Sequence, residues 1–291
     1  MPHFSQHCPA KLNLFLAVTG RRADGYHDLV SLVSQLALGD ELEADLFTAG
    51  ADTLVCDDAA LSVDADNLVL KAAAAYRRRV PEAPWVAWKL TKRVPYGAGL
   101  GGGSSDAATA LRILNKACGD VLDADRLAAV AAEVGSDCPL FLRTGPVVMR
   151  GRGELLSEVP QAAREALVGR GVVVVKPDFG VPTGWAYGAL DKVAAFTAPD
   201  VAEAELNRWL ADPASEIPVR NSFMDVVFRK YQCFDALNAV LRAANLPQLI
   251  LTGSGSACFA FADKAQAGEI AKLAKRALGE DCFVQFTAIA G

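Results

Sequence analysis

Pro95-Tyr96-Gly97-Ala98-Gly99-Leu100-Gly101-Gly102-Gly103-Ser104-Ser105 holds five glycines in eleven residues and leads into an alanine-rich stretch ending near Cys118. Glycine reaches backbone conformations closed to other residues. Such a run can therefore turn several N–H groups toward one point and let a ligand come close. The alanine-rich stretch reads as a helix, whose first N–H groups have no partners within the helix and whose dipole favours negative charge. A glycine loop that opens into a helix is a cradle for phosphate. Ser104 and Ser105 add hydroxyls for a phosphate oxygen or a magnesium ion. The alternative is a flexible turn with a serine cap, but ordering five glycines costs much chain entropy.

Other phosphate-binding patterns fit less well. A P-loop needs G-x-x-x-x-G-K-[ST], and this loop has no lysine. Gly97 to Gly102 matches G-x-G-x-x-G literally. A dinucleotide fold, however, puts those glycines directly at a strand end and follows the helix with a second strand. Here Lys92-Arg93-Val94-Pro95 intervenes, and a second helix follows the first. Protein kinases share the glycine pattern, but the chain has no H-R-D element.

Working outward, Leu12, Leu14, Leu16 and Val18 alternate with Lys11, Asn13, Phe15 and Ala17, which predicts a strand with the leucine face inward. Lys11 and Asn13 then project from the opposite face. Residues 20–27, Gly-Arg-Arg-Ala-Asp-Gly-Tyr-His, read as a loop. Strands are predicted at 29–38 and 41–47. A helix over 67–79 is expected with Asp66 as its cap, stopped by Pro81 and Pro84. A strand follows at 85–91. Asp123 caps another helix, closed by Gly135, and Ser136-Asp137-Cys138-Pro139 is a turn. In the second half, strands are predicted at 172–175, 248–251, 257–262 and 282–288, and helices near 200–211, 222–230, 233–244 and 264–277. Helices and strands mix without strict alternation, which indicates an α+β fold. A change of texture near 151–153 marks the expected boundary between domains at 1–153 and 154–291.

Composition bounds the rest. At 291 residues the chain has room for about two domains. It is 52% hydrophobic and 22% charged, an ordinary globular make-up. The net charge of −5 argues against a nucleic-acid protein working through its bulk field. Seven cysteines without C-x-x-C spacing read as reduced thiols of a cytoplasmic protein. With three histidines, two of them (His3, His7) in an N-terminal stretch expected to be mobile, no zinc site is expected. The opening MPHFSQHCPAKLN lacks an apolar core after basic residues, so no signal peptide is expected. No run of eighteen apolar residues predicts a membrane helix.

The glycine loop resembles the second motif of the GHMP small-molecule kinases. Pro9-Ala10-Lys11-Leu12-Asn13-Leu14 resembles their first motif, and Leu251-Thr252-Gly253-Ser254-Gly255-Ser256-Ala257 their third. Residues 20–27 and Val134-Gly135-Ser136-Asp137-Cys138-Pro139 are similar to one branch, the 4-diphosphocytidyl-2-C-methyl-D-erythritol kinases. The resemblance implies an N-terminal domain like domain 2 of ribosomal protein S5, a ferredoxin-like C-terminal domain, and a substrate cleft between them. It implies transfer of phosphate from ATP, accompanied by Mg²⁺, to the 2-hydroxyl of a cytidine-diphosphate sugar alcohol of the non-mevalonate isoprenoid route. No protein-built metal site, membrane or nucleic-acid partner is implied, and the chain would be a monomer or homodimer.

The resemblance carries roles over to single residues. Asp137 is the implied base; its alternative is a bond to a nearby turn amide. Lys11 is the implied cation that favours the developing alkoxide. The loop 95–105 would hold ATP, with Asn67 and Lys92 near its base. Asn13, Tyr26, His27, Thr183 and Tyr187 would meet the substrate. Tyr26 and Tyr187 would stack on the cytosine ring and His27 would bond its edge. Trp185 competes with Tyr187 for that place, and Thr183 is alternatively a helix N-cap. The segment 252–256 is either a tight strand–strand turn or a loop that steadies substrate or phosphate. Asn221-Ser222-Phe223-Met224-Asp225 departs from the acid-bearing pattern expected there. Cys8 and Cys138 are read as small core residues. The rival readings are a homoserine- or mevalonate-type kinase, a non-catalytic nucleotide-binding protein and, through the G-x-G-x-x-G match, an NAD oxidoreductase.

Overall fold

The computed structural model describes residues 2–291. The chain divides into two compact units, each assembled from separate segments. One comprises residues 1–10, 38–96 and 101–144; the other comprises 11–37, 97–100 and 145–291. Two long strands, β1 (His3–Arg21) and β2 (His27–Phe47), run through both.

In the first unit, β2 pairs antiparallel with β4 (Trp85–Thr91), and β3 (Thr53–Cys56) adds parallel to β4. Leu42, Ala44 and Leu46 are buried, whereas Glu41, Glu43 and Asp45 are not, as the period-two pattern requires. That buried face belongs to one core with α1 (Leu68–Arg77), α2 (Gly102–Ala117) and α3 (Ala124–Val134). Ala72, Ala73, Ala107 and Ala110 are fully buried there, so small side chains let α1 and α2 approach closely. A 3₁₀ turn, Cys138–Leu142, completes the unit.

In the second unit, β2 pairs antiparallel with β5 (Val147–Gly151) and β5 with β6 (Leu155–Glu158). β1 pairs parallel with β8 (Arg220–Asn221). A separate antiparallel sheet is built from β7 (Gly171–Lys176), β9 (Ile250–Leu251), β10 (Cys258–Phe261) and β11 (Phe283–Ala288). Its spatial order is β11-β7-β10-β9, or fourth-first-third-second in the chain, the order of a ferredoxin-like sheet. Val172 to Val175 of its inner strand have no exposure at all. α4 (Gln161–Leu167), α5 (Thr183–Val193), α6 (Pro199–Ala211), α7 (Met224–Lys230), α8 (Cys233–Ala243) and α9 (Lys264–Leu278) complete the unit, with α9 packed on β7 and β11. Mixed helices and two sheets make the fold α+β.

Several local expectations are corrected. The N-terminal stretch is ordered: β1 begins at His3, whose Nδ1 lies 2.8 Å from Asp45 Oδ1. β1 is buried on both faces over residues 8–18, including Lys11 and Asn13. The two strands predicted at 29–38 and 41–47 are one strand. Gly39 sits inside it because a side chain there would collide with the Cys8 carbonyl. Asn67, not Asp66, caps α1, accepting the Val69 amide at 2.9 Å. α2 starts at Gly102, inside the glycine loop, although glycine is a poor helix former.

Candidate active site

The glycine loop is braced ahead of its first residue by buried charge. Asp40 has no exposure, and its Oδ1 accepts the Arg93 amide at 2.6 Å and the Val94 amide at 2.8 Å. Its other oxygen accepts from the Lys92 ammonium, which also donates to Asp106 Oδ2 at 2.9 Å. Asp106 lies in the first turns of α2, so the cluster ties the strand that leads to the loop to the helix that leaves it. Burial pulls the Lys92 ammonium down, but the Asp106 and Asp40 carboxylates outweigh it and leave it raised. Burial pushes the Asp106 carboxyl up to about 7; Lys92 opposes this and Asp40 adds to it. Asp106 Oδ1 is buried without a partner. The three groups are enclosed together away from water, and that enclosure holds the Asp106 carboxyl above its ordinary range. Lys92, expected near the nucleotide base, has its ammonium enclosed by this cluster.

Within the loop, Gly97, Gly99 and Gly101 take positive φ values of 64°, 79° and 72°. Glycine is required most at 99, where a Cβ would come 2.7 Å from the Thr252 carbonyl oxygen. The Ala98 carbonyl accepts the Ala257 amide at 3.0 Å, and the Leu100 carbonyl accepts the Lys11 amide at 2.9 Å. Gly101 is the N-cap of α2 and brings no side-chain acceptor; the first helical bond is Ser105 N–H to Gly101 O at 2.9 Å. The amides of Gly102, Gly103 and Ser104 therefore lie ahead of the helical ladder. Ser105 Oγ is buried and has no partner. A cradle of uncapped amides with an orphaned hydroxyl fits an anion and its counter-cation.

Asp137 sits at the N-terminus of the 3₁₀ turn 138–142 and makes no capping bond with its side chain. The alternative reading, a carboxylate committed to a turn amide, is not what the structure shows. Beside it, the Cys138 thiol is buried, which pushes it up to about 11, while a hydrogen bond with the Ser104 hydroxyl pulls the other way. That bond joins the Asp137 turn to the start of α2. Burial likewise raises the Cys8 thiol well above its usual range. Both cysteines belong to the core and neither is an activated nucleophile.

In the second unit, Lys11 Nζ donates to Asn13 Oδ1 at 2.6 Å, and Asn13 Nδ2 donates to Ser31 Oγ at 2.9 Å. Ser31 passes the chain on to the Phe15 carbonyl at 2.6 Å, and the Asn13 amide donates to Thr252 Oγ1 at 2.9 Å. All four of Lys11, Asn13, Ser31 and Thr252 are buried, so the network holds the lysine in one rotamer. The turn 252–256 joins β9 to β10, as the strand–strand reading has it, and also adjoins the loop segment 97–100. Asn221 is the residue that sequence reasoning missed there. Its Nδ2 donates to Leu251 O at 2.7 Å and Gly253 O at 2.8 Å, and its Oδ1 accepts the Phe223 amide at 2.8 Å. The departure from an acid-bearing pattern at 221–225 leaves this clamp intact.

His27 Nε2 lies 2.6 Å from Asp191 Oδ1, and its ring stacks on Tyr187 with centroids 4.6 Å apart. Trp185 instead meets Tyr231 edge-on, with the Lys230 ammonium 3.9 Å from its ring centre. Tyr26 is 57% exposed, with the Arg152 guanidinium 4.9 Å from its ring centre. Thr183 is the first residue of α5, after its N-cap Pro182, and its hydroxyl lies 2.9 Å from Ser254 Oγ. Asn67 Nδ2 also donates to Ser62 O at 2.7 Å. A groove of about 710 Å³ runs beside α1, lined by Val63, Asp64, Leu70, Lys71 and Arg78 among others. None of the expected site residues lines it. Asp178-Phe179-Gly180 spells the D-F-G of protein kinases, but Phe179 is stacked on Tyr231 between β7 and α5. Among the described residues, no group of three or more His, Cys, Asp or Glu could hold a metal ion, and no helix is long and apolar enough to cross a membrane. All seven cysteines are free thiols.

Residues 67–145 match the GHMP kinases N terminal domain. A chain of Synechococcus sp. (strain CC9311), named 4-diphosphocytidyl-2-C-methyl-D-erythritol kinase, is 40% identical over 267 residues, covering 87% of this chain and 84% of that one. A chain of the same name from Solidesulfovibrio magneticus is 38% identical over 270 residues, covering 90% of each. The crystal structure of a 4-(cytidine 5'-diphospho)-2C-methyl-D-erythritol kinase superposes with a TM-score of 0.78 at 33% identity, covering 98% of this chain and 99% of that one. A mevalonate kinase from Methanococcus jannaschii shares the fold, with a TM-score of 0.70 at 14% identity over 100% of this chain and 99% of that one. With relatives this similar along most of its length, the chain belongs to the 4-diphosphocytidyl-2-C-methyl-D-erythritol kinase family of GHMP kinases.

Proposed function

We propose that the protein transfers the γ-phosphoryl group of ATP to the 2-hydroxyl of 4-diphosphocytidyl-2-C-methyl-D-erythritol, giving ADP and the 2-phosphate. The observation that carries the reading is the start of α2: a left-handed glycine N-cap, three amides ahead of the helical ladder and the partnerless Ser105 hydroxyl. That is a cradle for a triphosphate. Family membership supplies the acceptor, since homoserine and mevalonate kinases share only the fold at 14–16% identity.

Asp137 accepts the proton of the 2-hydroxyl. The freed oxygen bonds to the γ-phosphorus, the bond from that phosphorus to the β,γ-bridging oxygen breaks, and ADP leaves. A carboxylate not spent on capping suits the base role. Lys11, held by Asn13, places positive charge for the developing alkoxide. Mg²⁺, when it accompanies ATP, neutralises charge on the phosphates, and the hydroxyls of Ser104 and Ser105 are the groups of the cradle suited to it. Tyr26, His27 and Tyr187 hold the cytosine, Thr183 meets the substrate, and Asn67 borders the nucleotide base with the stem of Lys92. Residues 1–153 carry the nucleotide side and 154–291 most of the substrate side. A cytoplasmic monomer or homodimer completes the reading, in keeping with seven free thiols.

A substrate panel tests it. ATP consumption should require the cytidine-diphosphate sugar alcohol and should not appear with homoserine or mevalonate. Turnover of either of those, with silence on the first, overturns the assignment.

A further inference from the structure

Tyr187 and Asp191 stand four residues apart on α5 and so project from one face of the helix. Both address the same imidazole. Tyr187 covers the face of the His27 ring, and Asp191 Oδ1 takes its Nε2 edge at 2.6 Å. The His27 side chain is 6% exposed and that of Asp191 22%. Phe196 lies 6.0 Å away on the same ring, and the Arg21 guanidinium approaches the second oxygen of Asp191 at 3.7 Å. A ring packed this closely has little freedom to turn over.

We infer that Asp191 fixes the tautomer of His27 and so makes the site choose cytosine over uracil; this rests on the proposed function. A carboxylate is an acceptor only, so a neutral His27 must carry its proton on Nε2. Nδ1 is then the acceptor edge. Cytosine offers an exocyclic amine, a donor, which Nδ1 can accept. Uracil offers a carbonyl oxygen at the same place, and two lone pairs then face each other. Arg21 faces the second oxygen of Asp191, which leaves the first to Nε2. Asp191 is thus a positioning residue, acting through His27.

Two measurements test this. Two-bond ¹H–¹⁵N correlation at pH 8 should show the Nε2–H tautomer for the histidine signal that disappears in His27→Gln. An Nδ1–H tautomer overturns the inference. Second, kcat/KM is compared for the cytidine substrate and its uridine analogue. In Asp191→Asn the amide can donate to Nε2 and reverse the tautomer. The cytidine-to-uridine ratio should fall about tenfold or more, the scale of one lost hydrogen bond, and Asp191→Glu should restore much of it. An equal loss on both substrates marks Asp191 as merely structural and overturns the inference. A wild type silent on both substrates overturns the proposed function instead, and the tautomer is still read without substrate.

Discussion

The loop at 95–105 and the turn at 252–256 both depend on left-handed glycines, yet they are braced by opposite chemistry. The segment leading into the loop is held by Asp40, Lys92 and Asp106, three buried ionisable groups. The turn is held by neutral groups: Asn221, itself fixed by the Phe223 amide, donates to Leu251 O and Gly253 O, and Thr252 Oγ1 accepts the Asn13 amide. Both satisfy backbone groups that burial would otherwise leave unpaired. Only the first is electrically coupled to solvent pH. A charged brace is strong while complete and costly when one member is lost, because removal strands the others. A neutral brace fails by the cost of its orphaned partners alone.

The largest expected effect is therefore Lys92→Met, which leaves two buried carboxylates without their cation. It should cost about 3–5 kcal/mol in urea unfolding at pH 8, and less at pH 5, where a carboxyl can take up a proton. A loss that does not change with pH would break the contrast. Asn221→Ala comes next, at about 2–3 kcal/mol for stranding two carbonyls and an amide. Its cost should be the same at pH 5 and pH 8, and a clear pH dependence would show that the turn is coupled to a charge after all.

The smallest effect at any one step of pH is a slope. Asp106 titrates near 3.9 in an unfolded chain and at about 7 in the fold. Between those values the folded chain holds a proton that the unfolded chain has released. The stabilisation is complete below about pH 4 and is lost as pH rises through 7, at no more than about 1.4 kcal/mol per pH unit. Subtracting the Asp106→Asn curve from the wild-type curve should isolate that decline. A flat difference would mean that the acid is ionised throughout.

What could be read from the sequence follows from the range of the physics. The glycine spacing of 97–103, the alternation of 11–18 and the turn at Asp137 are local patterns, and they marked the loop that opens α2, the Lys11 strand and the candidate base. The start of α2 at Gly102 was hidden because glycine's low helix propensity argues against it, whereas the rest of the helix imposes it. The unbroken β2 was hidden because Gly39 and Asp40 look like a turn. In the fold, the glycine permits contact with Cys8, and Lys92, 52 residues away, neutralises the aspartate. Asn221, 30 and 32 residues from the carbonyls it holds, left no local signal. Asp191 did leave one, the i,i+4 spacing to Tyr187, but its meaning depends on His27, 164 residues away.

The most direct test is ADP formation with the cytidine-diphosphate sugar alcohol by the wild type and by Asp137→Asn, a near-isosteric change beside an unaltered cradle. With Asp137 as the base, kcat falls on the order of a hundredfold or more while the KM for ATP stays close to that of the wild type. A variant that keeps kcat within a few-fold of the wild type would contradict the assignment of Asp137 as the group that takes the proton.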